Sequence, residues 1–111
     1  MTYSIFKHDA AQVLEVRTLF NELDNKEILR DVQNRIEQGF NNFIVDLSKL
    51  DFMNSVGLNF LISMMTKSRK SGGDITIVNA NDQVMSLLEI TKLKKLFKLQ
   101  PTVEEALASL E

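Results

Sequence analysis

The chain predicts an α/β fold, a mixed and mostly parallel β-sheet packed by about four α-helices. Three observations predict it. From residue 42 onward strand-like and helix-like segments alternate, and strands separated by helices tend to lie parallel. Residues 43–47 (Phe-Ile-Val-Asp-Leu) form an apolar run broken only by Asp46, the pattern of a strand covered on both faces. Ile28, Leu29, Val32, Ile36 and Phe40 recur every three or four residues, which is one face of an amphipathic helix.

Taken in order, residues 3–7 and 12–17 read as two strands joined by a tight connection over 8–11, with Val13, Leu14 and Val16 supplying the apolar positions of the second. Asn21-Glu22-Leu23-Asp24-Asn25 is a cluster of turn and cap residues before the first helix. Gly39 stands near that helix's end, where a left-handed residue is often needed. A second helix over roughly 56–70 places Leu58, Leu61, Ile62 and Met65 on one stripe. It ends in Lys67, Arg69 and Lys70, which suit the negative end of the dipole, and stops at Gly72-Gly73. Residues 75–78 form the next strand, and Asn81-Asp82 caps a helix carrying Val84, Leu87 and Leu88. Residues 96–99 suggest a short edge strand. Thr102 and Glu105 then make a capping box that opens a last helix through Leu110.

At 111 residues, with no linker, repeat or low-complexity segment, the expected organisation is one domain over 1–111. An apolar content of 44% against 25% charged residues is that of a globular chain rather than a disordered one. Thirteen basic and fifteen acidic residues leave a net charge of −2, which gives no general attraction to nucleic acid or anionic lipid. Without cysteine, disulfides and thiolate metal sites are impossible. Residues 1–9 lack the apolar core of a signal peptide. The most apolar window, 56–65, is interrupted by Asn59 and Ser63 and is too short to cross a bilayer. The expectation is a cytoplasmic domain with no membrane insertion and no nucleic-acid partner.

Little in the chain points to cofactor or metal chemistry, and none is expected. Gly39, Gly57, Gly72 and Gly73 match neither phosphate-loop nor dinucleotide spacing. The single histidine, His8, has no cysteine or second histidine for a zinc site and reads as an exposed turn residue. Ser55, His8 and an aspartate formally supply a hydrolase triad, but no Gly-x-Ser-x-Gly elbow surrounds Ser55. Asp9, Asp24, Asp46 and Asp51 lack the acidic pair at the end of a first strand that a phosphoaspartate receiver needs. Met53, Met64, Met65 and Met85 read as core fillers. Lys92, Lys94, Lys95 and Lys98, the densest basic cluster, read as a solvated face, with an acidic partner as second choice.

The most informative stretch is Asp51-Phe52-Met53-Asn54-Ser55-Val56-Gly57-Leu58, where a hydroxyl sits between the apolar strand and the second helix. Backbone N–H groups at a helix start lack intrahelical partners and carry the positive end of the macrodipole. Ser55 is therefore expected to cap the helix, at a position where a phosphate would also be well tolerated.

These segments resemble the STAS domain of bacterial anti-sigma factor antagonists over essentially the whole chain. The specific match is 44–47 through Phe52-Met53-Asn54-Ser55-Val56-Gly57-Leu58; the Asn21-Glu22-Leu23-Asp24 turn and Gly72-Gly73-Asp74-Ile75-Thr76-Ile77-Val78-Asn79 support it. The resemblance implies a STAS-type sandwich without enzymatic activity. It also implies that an anti-sigma factor serine kinase phosphorylates Ser55, that only the unmodified domain docks on this kinase and frees the sigma factor, and that a metal-dependent serine phosphatase restores the docking form.

By the same resemblance Asp24 lies near the serine, and the partner-binding set is Asp24, Asn54, Ser55, Val56, Gly57 and Asn59. Two departures stand out: Asn54 replaces an aspartate common before the serine, and Val56 replaces a second small residue. A STAS scaffold subunit of a lipid-transport or stress-signalling complex, never phosphorylated, is the alternative reading. Oligomeric state stays open at this level.

Overall fold

The computed structural model describes residues 3–110. Strands β1 (Tyr3–His8) and β2 (Ala11–Val16) form an antiparallel hairpin that pairs His8 with Ala11, the turn being made by Asp9 at φ 54° and Ala10. Helix α1 (Glu22–Glu37), strand β3 (Asn42–Asp46), helix α2 (Ser55–Lys70), strand β4 (Asp74–Val78), helix α3 (Asp82–Ile90) and strand β5 (Lys98–Gln100) follow. A 3₁₀ turn (Lys94–Leu96) precedes β5, and helix α4 (Val103–Ser109) comes last. The sheet order is β1-β2-β3-β4-β5, with every pair after the hairpin parallel.

That order explains the layers. Each successive parallel strand is added on the same side of the previous one, and crossovers in such sheets share one hand, so α1, α2 and α3 fall on one face. Under them Leu14, Val16, Phe43, Val45, Ile75 and Ile77 meet Ile28, Val32, Leu61, Met64, Val84 and Leu88, all buried. Each such side chain contributes about 1.5–3 kcal/mol by leaving water. The strand residues between them point the other way. Ala11, Val13, Ile44 and Val78 pack there against Ala106 of α4. The sheet is therefore covered on both faces, as the run over 43–47 predicts, and Met53, Met64 and Met65 are buried in the larger core.

Helix ends follow local chemistry. In α1 the N–H of Phe40 donates to Arg35 O (2.9 Å) and that of Gly39 to Ile36 O (2.9 Å), with Gly39 at φ 100°. This paired arrangement closes the helix after Glu37. Phe40, which periodicity assigns to the helix face, therefore lies beyond the helix, with Lys7 Nζ 5.6 Å from its ring centroid. The same closure recurs at Gly72 after α2 and, with a lysine in the left-handed position, at Lys92 (φ 61°) after α3. The sequence-assigned turn over 21–25 is mostly helix: Asn21 is the cap and α1 begins at Glu22. Asp46, buried at the end of β3, accepts from Ser48 N–H (3.0 Å) and Asn79 Nδ2 (2.9 Å) through Oδ1 and so ties two loops together.

Candidate functional site

Three segments, 17–21 after β2, 47–54 after β3 and 79–81 after β4, leave the carboxyl ends of parallel strands and so gather at one end of the sheet. Their meeting point is built from buried parts. Leu19 and Met53 are each 1% exposed and lie against Gly57, where an added Cβ would stand 2.7 Å from Met53 Cγ and 3.3 Å from Leu19 Cβ. Asn25, buried in α1, donates from Nδ2 to Leu19 O (3.0 Å) and fixes the first loop.

Helix α3 fixes the second loop. Gln83 accepts from Met53 N–H through Oε1 and donates to Met53 O from Nε2, both at 2.8 Å. Asn81 donates to Leu50 O (3.2 Å) and Asp51 O (3.0 Å) while its Oδ1 caps α3 at Val84 N–H (2.9 Å). The main chain leading into α2 is thus held on both sides of Phe52.

At the start of α2 the cap differs from the expected one. Asn54 is the N-cap (φ −121°, ψ −168°), and its Oδ1 accepts from Val56 N–H (3.0 Å) and Gly57 N–H (3.4 Å). Ser55 is the first helical residue, exposed, and among the described residues its hydroxyl and its N–H make no hydrogen bond. The reason is backbone geometry: only the residue in extended conformation can turn its side chain back over the first turn. The serine oxygen is left free at the positive end of a 16-residue helix.

A family model for the STAS domain matches residues 5–106. The chain belongs to that family. A candidate anti-sigma factor antagonist of Thermotoga neapolitana is 26% identical over 76 residues, covering 68% of this chain and 67% of the relative. The crystal structure of an anti-sigma factor antagonist from Mycobacterium paratuberculosis superposes with a TM-score of 0.81 at 25% identity, over 97% of this chain and 92% of that one. The anti-sigma factor antagonist SpoIIAA in its unphosphorylated form shares the fold, with a TM-score of 0.81 at 17% identity over 97% and 95% of the two chains. Its phosphorylated form, from Bacillus, gives a TM-score of 0.75 at 17% identity over 98% and 99%.

Within this STAS domain the sequence-assigned site residues divide. Asn54 and Ser55 stand together at the start of α2. Val56 and Asn59 line a shallow cleft of about 180 Å³ between α1 and α2, opposite Glu22, Lys26 and Leu29. Asp24 is half-buried in the first turn of α1, where its N–H donates to Asn21 Oδ1 (3.1 Å). Gly57, assigned to partner binding, is buried: it permits the close approach of Leu19 and Met53 instead of presenting a surface. His8 and Ser55 are not brought together. His8 ends β1 beside the first residue of β2, at the opposite end of the sheet from the loop before α2.

The sequence reading missed Gln83, Asn81's hold on residues 50–51, and a tilted aromatic pair, Phe20 and Phe52, whose ring centroids are 6.0 Å apart. These partners are 30 or more positions apart in the chain, and no local pattern signals them.

Proposed function

We propose that this STAS domain is an anti-anti-sigma regulatory module. With Ser55 unmodified it binds an anti-sigma factor that is itself a serine kinase; phosphorylation of Ser55 by that kinase ends binding, and a serine phosphatase restores it. It acts by binding, with no catalytic step of its own, in the cytoplasm. No helix among the described residues is long and apolar enough to cross a membrane.

The observation that carries the reading is the free, exposed hydroxyl at the first position of α2, with the capping done by Asn54. Support also comes from the structural likeness to SpoIIAA, a protein solved in both unphosphorylated and phosphorylated forms. A phosphate on Ser55 adds about −1.5 to −2 charges and three acceptor oxygens. The positive end of the α2 dipole offsets that charge by ~0.3–1 kcal/mol, so the fold tolerates it. Burying an imperfectly paired polar group against a partner costs about 1–3 kcal/mol, and more when it is charged. At 1.4 kcal/mol per factor of ten, a loss near 3 kcal/mol weakens docking by roughly two orders of magnitude.

The test is to incubate the protein with ATP and each anti-sigma serine kinase of the source genome, then locate phosphate by mass spectrometry. Modification at Ser55 is expected, and Ser55→Asp should bind the same kinase at least about 100-fold more weakly with an unchanged unfolding midpoint. A kinase that binds tightly and leaves Ser55 unmodified would replace the switch with the constitutive scaffold.

A further inference from the structure

Among the described residues six large hydrophobic side chains are substantially exposed, and three of them, Phe20 (48%), Leu23 (73%) and Phe52 (50%), belong to the loop after β2, the first turn of α1 and the loop before α2, at the end of the sheet where α2 begins. Phe20 and Phe52 lean on each other at an interplanar angle of 34°. Each is mounted on a fixed neighbour: Leu19 is buried and its carbonyl is held by Asn25, while Met53 is buried and held at both main-chain groups by Gln83. Leu23 rides on the first turn of α1, its N–H bonded to Asn21 Oδ1 at 2.8 Å. Exposed apolar side chains on an ordered frame lose little further freedom on docking, which is the condition for a strong contact.

The same end of the molecule is rich in carboxylates. Glu22 and Asp24 lie in the first turn of α1, Asp51 precedes Phe52, and Asp82 follows Asn81, whose side chain bonds Asp51 O. None of these four carboxylates is in an ion pair among the described residues; Lys49 is taken by Glu15 at 2.6 Å, and the exposed cations Arg17 and Lys26 leave the region acidic on balance. An apolar centre with an anionic rim repels nucleic acid and anionic lipid and fits a protein surface that is apolar within and basic around.

We propose that Phe20, Leu23 and Phe52 form the apolar anchor of the docking surface, and that its occupant is a protein presenting an apolar depression ringed by lysine and arginine. This rests on the reading above, in which the occupant is the anti-sigma serine kinase. The anchor supplies affinity, the acidic rim speeds encounter, and Ser55, three residues past Phe52, adds its charge beside the apolar contact.

The experiment measures binding of the full chain and its variants to the purified anti-sigma serine kinases of the source genome, at low and high salt, with unfolding midpoints recorded for each. Phe52→Ser and Leu23→Ser should each weaken binding at least tenfold, and high salt should slow association. Phe6→Ser, an exposed phenylalanine on the α4 face of the sheet, should change nothing. Leu23→Ser keeps the test valid if a change at Phe52 disturbs the loop, because Leu23 is mostly in solvent.

If Phe52→Ser and Leu23→Ser bind like wild type while Ser55→Asp does not, the anchor is wrong and the switch stands. If Ser55→Asp binds like wild type while Phe52→Ser does not, the anchor stands and the switch is wrong. Binding of wild type to phosphatidylserine vesicles that Phe52→Ser abolishes, or failure to bind any of the kinases, overturns the proposed occupant.

Discussion

Asn54 and Ser55 divide two tasks that one residue could have combined. Both types are good helix caps, and the sequence reading assigns the cap to Ser55. The backbone decides. Asn54 is extended and reaches two N–H groups, and Ser55 is helical and reaches none. Asn54→Ala should therefore destabilise the domain by about 1 kcal/mol in urea unfolding. Asn54→Asp should leave stability within a few tenths or raise it, because a carboxylate caps as well and faces the positive end of α2. By contrast Ser55→Ala should be nearly silent in the same measurement; a loss of 1 kcal/mol or more there would mean that the serine caps after all. On this expectation, asparagine in place of the aspartate that the resemblance implies at this position keeps the cap and alters the charge.

At the scale of elements, each strand and helix that periodicity marks is present, with ends displaced by a few residues where caps compete. Two displacements have clear causes. Asn21, Asp24 and Asn25 are all cap-type residues, so the start of α1 was blurred; Phe40 keeps the helical spacing but falls after the left-handed Gly39. The hold of α3 on the loop before α2 had no local trace, since Gln83 looks like any polar residue of a first helical turn. Its removal tests whether that hold is as specific as the distances imply. Gln83→Ala should cost about 1–3 kcal/mol for the two bonds lost. Hydrogen exchange should locate the effect: the Met53 amide should exchange faster, and amides of α4 should keep their protection.

For the whole molecule, alternation of strands and helices was enough to anticipate a mixed sheet covered on both faces, and the strand order explains why three helices share one of them. The tie between β1 and α1 was not legible, because it depends on a contact across 28 positions: Tyr3 Oη donates to Asp31 Oδ2 at 3.2 Å. Burial, then the Asp31 carboxylate and this hydrogen bond, raise the phenol above its ordinary 10.0. A raised value means that the folded state keeps its proton longer than the unfolded chain. The contribution is therefore complete below pH 10 and is lost as pH rises through the higher folded value, where a phenolate would face Asp31. Unfolding midpoints of wild type and Tyr3→Phe should differ at neutral pH and converge at strongly alkaline pH.

Because both bonds from Gln83 end on main-chain atoms of Met53, they do not depend on which side chains decorate the neighbouring positions. Position 52 can be exchanged while the mount beneath it stays unaltered. The outward side chain at 52 can therefore be retuned without refolding the scaffold that carries it.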